Sequence, residues 1–207
     1  MTHSTKENEM KKYKVKLTLT EPQLGTVPKD EEVYKTFIEN KKPEEQQEEE
    51  FKTVEKAEER GWIGFHKDEE GLFLYDYMFR GFLKAAAQAT KYETGLKAFK
   101  KKIDMYAFVF PRRLRFVDEN TGDVIKEPDG DIERSIWVMT SQGPRVSLIR
   151  SDKINPGRII QLELHILNDK ELTKELLRTL FHYGAYSGLG QFRNGSYGRF
   201  GYEMTQM

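Results

Sequence analysis

The 207-residue chain contains no cysteine. Disulfides, thiol nucleophiles and thiolate metal sites are therefore excluded. No run approaches the roughly 18 apolar residues that a membrane-spanning helix needs. Met1 to Lys12 is polar and lacks an apolar stretch, so no secretory leader is expected, and a cytoplasmic location is. Neither a nucleophile elbow nor a P-loop occurs. Its four histidines (His3, His66, His165 and His182) lack metal-ligand spacing, so no metal, cofactor or catalytic residue is assigned. His182, one turn before a glycine-rich segment, and Asp30, placed as a helix N-cap, are the weak exceptions considered for ribonuclease chemistry. Net charge is absent too, with 34 basic against 34 acidic residues, which argues against a generic polycation.

The zero average conceals a segregation. Residues 30–60 hold twelve acidic and six basic side chains, so the rest of the chain is correspondingly basic. A polyanion feels local charge, because screening acts over about 8 Å at physiological salt.

Hydrophobic periodicity supplies the elements. Tyr13, Val15, Leu17 and Leu19 alternate with polar residues as in a half-buried strand. Asp30 to Asn40 and Glu44 to Arg60 read as charged helices, Gly61 to Phe65 as an apolar turn, and Phe73 to Thr90 as a helix. The apolar positions of that helix are expected at Tyr77, Phe82, Ala85, Ala86 and Ala89. Lys97 to Lys102 ends a second helical piece. Strands are expected from Met105 to Phe110, Ile132 to Thr140, Arg145 to Arg150 and Arg158 to Leu167. Turns fall at Asn120-Thr121-Gly122-Asp123, Pro128-Asp129-Gly130 and Asn155-Pro156-Gly157. Asn168 or Asp169 is expected to cap a helix from Lys170 to Tyr183, and Arg199 to Met204 to form the last strand. This order fits an α+β, ferredoxin-like (RRM-like) βαββαβ core with an antiparallel sheet, β-hairpin elaborations and a charged helical insertion. Residues 1–12 form a flexible tail and 13–204 one domain, with an acidic insertion at 30–60 and a hairpin elaboration at 116–150.

Between the last helix and last strand, Gly188 to Gly201 packs five glycines, two arginines and three aromatics without an acidic residue. Glycine lets backbone amides approach a ligand, arginine supplies forked donors for phosphate, and aromatic faces stack on bases. Gly188, Gly190, Arg193, Asn194, Tyr197, Gly198 and Arg199 are candidate RNA-binding residues, with Gln191 and Phe192 beside them. A second basic group comprises Arg80, Lys84, Arg112, Arg113 and Arg115. Arg113 and Arg115 share a strand face by the two-residue period, which suits a phosphate track.

Three segments, in order, resemble the RAMP superfamily, the ferredoxin-like proteins that form the RNA-binding backbone of multi-subunit CRISPR effector complexes. These are Tyr13 to Gly25, Tyr75 to Lys84 and Gly188 to Phe200. The last resembles that family's glycine-rich loop; the acidic stretch has no counterpart. The resemblance implies a non-catalytic subunit of an oligomeric or ribonucleoprotein assembly, with single-stranded RNA or a nucleotide and other proteins as partners, and no membrane. It also implies that the hairpin region from Phe116 to Thr140 projects as a thumb that kinks a bound strand. An alternative reading is a phage or mobile-element anti-defence protein that uses this fold, or the acidic insertion, to bind a host protein or nucleotide.

Overall fold

The computed structural model describes residues 10–29, 62–140, 143–167 and 170–207. The helices expected at Asp30 to Asn40 and Glu44 to Arg60, and the caps Asn168 and Asp169, lie outside the described residues.

Strand β1 (Lys11–Leu19) sets the architecture. Its odd residues Tyr13, Val15, Leu17 and Leu19 are buried, whereas Lys12 and Lys14 are exposed. After two short strands, β2 (Gln23–Leu24) and β3 (Val27–Pro28), the described chain resumes at β4 (Trp62–Gly64), β5 (His66–Lys67) and β6 (Leu72–Tyr75). Helix α1 (Asp76–Ala89), the single turn α2 (Lys91–Thr94) and α3 (Phe99–Tyr106) follow. The chain continues through β7 (Ala107–Phe110), β8 (Arg113–Asp118), β9 (Gly130–Thr140), β10 (Gly143–Ile154) and β11 (Arg158–Ile166). It ends with α4 (Lys174–Ser187) and β12 (Phe200–Gln206).

The larger sheet runs β12-β1-β11-β8-β6-β5, and β7 also pairs with β11. All its pairings are antiparallel. Strands β7 and β8 act as two halves of one strand beside β11, separated where Pro111 removes an amide from the ladder. Taken in chain order, β1, α1, β7/β8, β11, α4 and β12 are a βαββαβ unit with β1 and β11 central. The mixed α+β, ferredoxin-like arrangement is thereby observed. A smaller sheet, β2-β10-β4-β3, carries β9 on β10. The long β9–β10 hairpin extends from it, in register from Gly130–Lys153 to Thr140–Gly143.

Helices α1 and α4 pack on one face of the larger sheet. Phe79 lies 5.6 Å from Phe82 and 5.7 Å from Phe181, and Phe82 lies 5.2 Å from Phe200. Each such ring contributes about 1.5–3 kcal/mol by leaving water.

Four local expectations need correction. Gly61 to Phe65 is no mere turn, because Trp62, Ile63 and Gly64 form β4, paired with both β3 and β10. The helix expected from Phe73 begins at Asp76, since Leu72 to Tyr75 pair with β8 and β5. Its buried face is Phe79, Phe82, Leu83, Ala86 and Ala87; Ala89 is exposed. Lys97 to Lys102 leads into α3 instead of ending a helix. Helix α4 starts at Lys174, where the Thr173 hydroxyl accepts the Leu176 amide at 3.2 Å.

Candidate nucleic-acid interface

The glycine-rich loop is closed at its neck by backbone pairing. Leu189 N–H donates to Gly198 O, and Gly198 N–H to Pro22 O, each at 2.8 Å. Thr20 N–H reaches Arg199 O at 2.9 Å, so the loop is fastened to the turn after β1. Gly188 and Gly198 hold φ of +69° and +70°. A Cβ there would run into the carbonyls of Tyr197 and Leu189, and one on Gly190 into the Gln23 amide. Close backbone approach within the protein thus accounts for these three glycines. The amides of Gly188 and Gly198 already have carbonyl partners. What the loop leaves for a ligand is its tip.

That tip is a short 3-10 turn, Arg193–Gly195, flanked by Phe192 and Ser196 at φ of +52° and +69°. Gly195 lies under the folded-back Phe192 ring, which leaves no room for a Cβ. Tyr197 is 5.7 Å from Phe192 between ring centres. On the ring's other contact, the Arg134 guanidinium of β9 stands 4.1 Å from its centre. The Arg193 and Asn194 side chains make no hydrogen bond among the described residues. Arg199 instead donates from Nε to Tyr186 O at 3.0 Å, capping the end of α4.

The second basic group lies elsewhere, in two parts. Arg80 donates to Asp104 O at 2.9 Å, and Lys84 Nζ sits 3.2 Å from Asp104 Oδ1, joining α1 to α3. Arg113 and Arg115 do share a face of β8, each 5.2 Å from the Phe73 ring. Both are held by Asp68, with Arg113 Nη1 and Arg115 Nη2 each 2.6 Å from its Oδ2. Arg115 also pairs with Glu70 at 2.7 Å. Its hydrogen bonds, with help from the Gly71 and Glu70 amides, hold the Asp68 carboxyl far below the usual carboxylate range, against a smaller opposing effect of burial. A phosphate on this pair has to compete with a fixed anion. Arg112 lies against the Tyr75 ring, at 5.7 Å.

The described histidines do not converge. His165 Nε2 is 2.9 Å from Glu163 Oε2 and its ring 4.7 Å from Phe110; His66 is buried beside Phe73; His182 packs against Tyr186. Among the described residues no three His, Asp or Glu side chains form a metal-binding group.

The face of the larger sheet that no described helix covers adds residues that motif reading passed over. Opposite the helices, β1 presents Lys12, Lys14 and Lys16 in register with His165, Glu163 and Gln161 of β11. Phe108 and Phe110 of β7 stand opposite His165 and Glu163. Lys16 is paired with Glu119 at 2.6 Å, while Lys12 and Lys14 make no side-chain ion pair among the described residues. A shallow groove lined by Lys14, Lys16, Gln161, Glu163, Glu203 and Thr205 runs over this face. Its signal was the polar half of the alternation whose apolar half defined β1. Arg134 had no such signal, because only the fold brings β9 to the loop.

No protein-family model matches the sequence, and no curated protein matches it. Among solved structures the chain is similar to one in the type III-B Cmr-β complex bound to cognate target RNA. That match has 10% identity over 96% of this chain and 61% of the other, with a TM-score of 0.49. A chain of a type IV-B CRISPR complex is similar at 11% identity, covering 94% of this chain and 90% of that one, with a TM-score of 0.43. The protein thus spans 61% of the length of the first.

Proposed function

We propose that this protein is a RAMP-like RNA-binding subunit of a ribonucleoprotein assembly, and that it holds single-stranded RNA across the sheet face opposite helices α1 and α4 and the tip of the glycine-rich loop. The observation that carries this reading is the ferredoxin-like sheet with its helices on one side. Its other face puts Lys12 and Lys14, which make no ion pair among the described residues, beside Phe108 and Phe110. Cations follow a phosphate backbone, and rings stack on bases of any identity, so the face suits a single strand read without strict sequence preference. Arg193, Asn194 and Tyr197 add donors and a ring at the loop.

The test is fluorescence anisotropy with a labelled single-stranded RNA. Affinity is expected to fall steeply with salt, with a log–log slope of about 0.7 per phosphate contacted. Lys12→Glu with Lys14→Glu should weaken binding at low salt by about tenfold or more and flatten that slope. Bound RNA should be recovered at full length. If the wild-type chain fails to retain RNA at low salt, the reading is wrong.

A further inference from the structure

Every buried side-chain polar atom left without a hydrogen bond among the described residues lies along one seam. These atoms are Arg134 Nε and Nη1, Gln191 Oε1, Gln23 Oε1, Thr26 Oγ1 and Ser151 Oγ. Gln191 belongs to the glycine-rich loop. Gln23 and Thr26, from β2 and the turn beyond it, line the space that a side chain at Gly190 would need. Arg134 is opposite Ile149 in the β9–β10 hairpin, and Ser151 follows two residues along the same face. Buried polar atoms are nearly always satisfied, so six unpartnered atoms gathered where three elements meet demand a cause.

Arg134 is the most telling of them. A guanidinium stays charged in proteins, and a buried charge without a counter-charge is costly. Here it is half-buried and makes no ion pair among the described residues. Burial pushes it below its ordinary value, with the Tyr197 phenol acting in the opposite direction. Its position is nonetheless prepared. Gly195 lets the Phe192 ring fold back, Phe192 takes a left-handed backbone, and the ring meets the guanidinium at 4.1 Å. A loop that spends backbone strain to seat an arginine on a ring orients the fork of that arginine.

We propose that Arg134, seated on Phe192 beside Tyr197, is an anion-recognition residue that takes the oxyanion of a phosphate ester at the seam between the β9–β10 hairpin and the glycine-rich loop. The site rests on the RNA-binding reading above and deepens it, placing one phosphate at a fixed point instead of along the open sheet. An arginine donates charge-assisted hydrogen bonds to phosphate oxygens, and a charge with no counter-charge among the described residues supplies the attraction. Two sources carry this chemistry, a mononucleotide phosphomonoester and an internal RNA phosphodiester.

The experiment compares the full chain with Arg134→Met, which keeps an unbranched apolar stem and removes the charge. Thermal unfolding is recorded without ligand and with inorganic phosphate, AMP or a 5′-hydroxyl RNA 12-mer, and anisotropy reads 12-mer affinity. Without ligand, Arg134→Met should melt at the wild-type temperature or above it, because an unpaired charge has been removed. With ligand, the wild-type melting temperature should rise while that of Arg134→Met does not, or 12-mer affinity should drop about tenfold or more. A response to AMP and phosphate alone identifies a phosphomonoester; one to the 12-mer alone identifies a phosphodiester. The site is overturned if Arg134→Met responds to every probe as the wild type does, if the wild type responds to none, or if Arg134→Met melts well below wild type without ligand. RNA binding unchanged by Arg134→Met removes this site and leaves the sheet-face reading standing. A shift with AMP in a protein that does not bind the 12-mer does the reverse.

Discussion

At the scale of single residues, the glycines of the C-terminal third divide by what surrounds them. Gly184 is helical and would ordinarily gain about 0.5–1 kcal/mol on becoming alanine. In this protein a Cβ there would crowd the Phe200 ring, lying 2.8 Å from its Cε1. Overpacking of a filled core costs about 1–3 kcal/mol, so it outweighs the propensity gain. Gly184→Ala should therefore lower stability by about 1–2 kcal/mol in urea unfolding, against the sign that helix propensity alone gives. Both glycines and arginines are visible as letters, whereas their partners are not. Arg199 caps α4 through Tyr186 O, and Arg113 and Arg115 are engaged by Asp68; such pairings join residues 13 to 47 positions apart.

At the scale of elements, long amphipathic segments were legible and short ones were not. The alternation in β1 and β11 and the leucine stripe of α4 each bury one face, so periodicity alone locates them. Strand β4 has three residues and no period of its own. It is a strand because β10, nearly ninety positions later, offers it a parallel partner. Trp62 then packs between Lys29 Nζ and the Arg150 guanidinium, each 3.9 Å from its ring, and donates to Asp152 at 2.7 Å. Helix starts are similarly underdetermined, since Asn168, Asp169 and Thr173 all have capping side chains. Thr173 caps α4, and from Lys174 the turn carries Leu177, Leu180 and Phe181 inward. Thr173→Ala should cost about 1 kcal/mol, with Thr173→Ser restoring most of it, as read from unfolding midpoints.

At the scale of the whole molecule, Asp68 links the β5–β6 turn to β8 across the edge of the larger sheet. Its folded pKa is depressed, so its contribution to stability is complete above the unfolded value of about 3.9. That contribution shrinks as pH falls below this value and vanishes only beneath the much lower folded value. Wild type should accordingly be more stable than Asp68→Asn at neutral pH, with the gap closing on acidification below about pH 4. Melting temperatures measured across pH 2 to 7 check this, and a gap that stays constant through the acid limb would sink it. The same edge bears on the functional reading. With Arg113 and Arg115 engaged by Asp68 and Glu70, the proposed RNA site draws its cations from Lys12 and Lys14 on the sheet and Arg134 and Arg193 at the loop.

The sequence alone determined the α+β class, the βαββαβ order and the loop before the last strand, because local periodicity and turn chemistry act between near neighbours. Tertiary structure decided which basic residues are already spoken for and which are not. Ion pairing, burial and ring stacking depend on groups brought together from distant parts of the chain. No local pattern in the sequence distinguishes Arg115, locked on Asp68, from Arg134, half-buried beside Phe192 with no ion pair among the described residues.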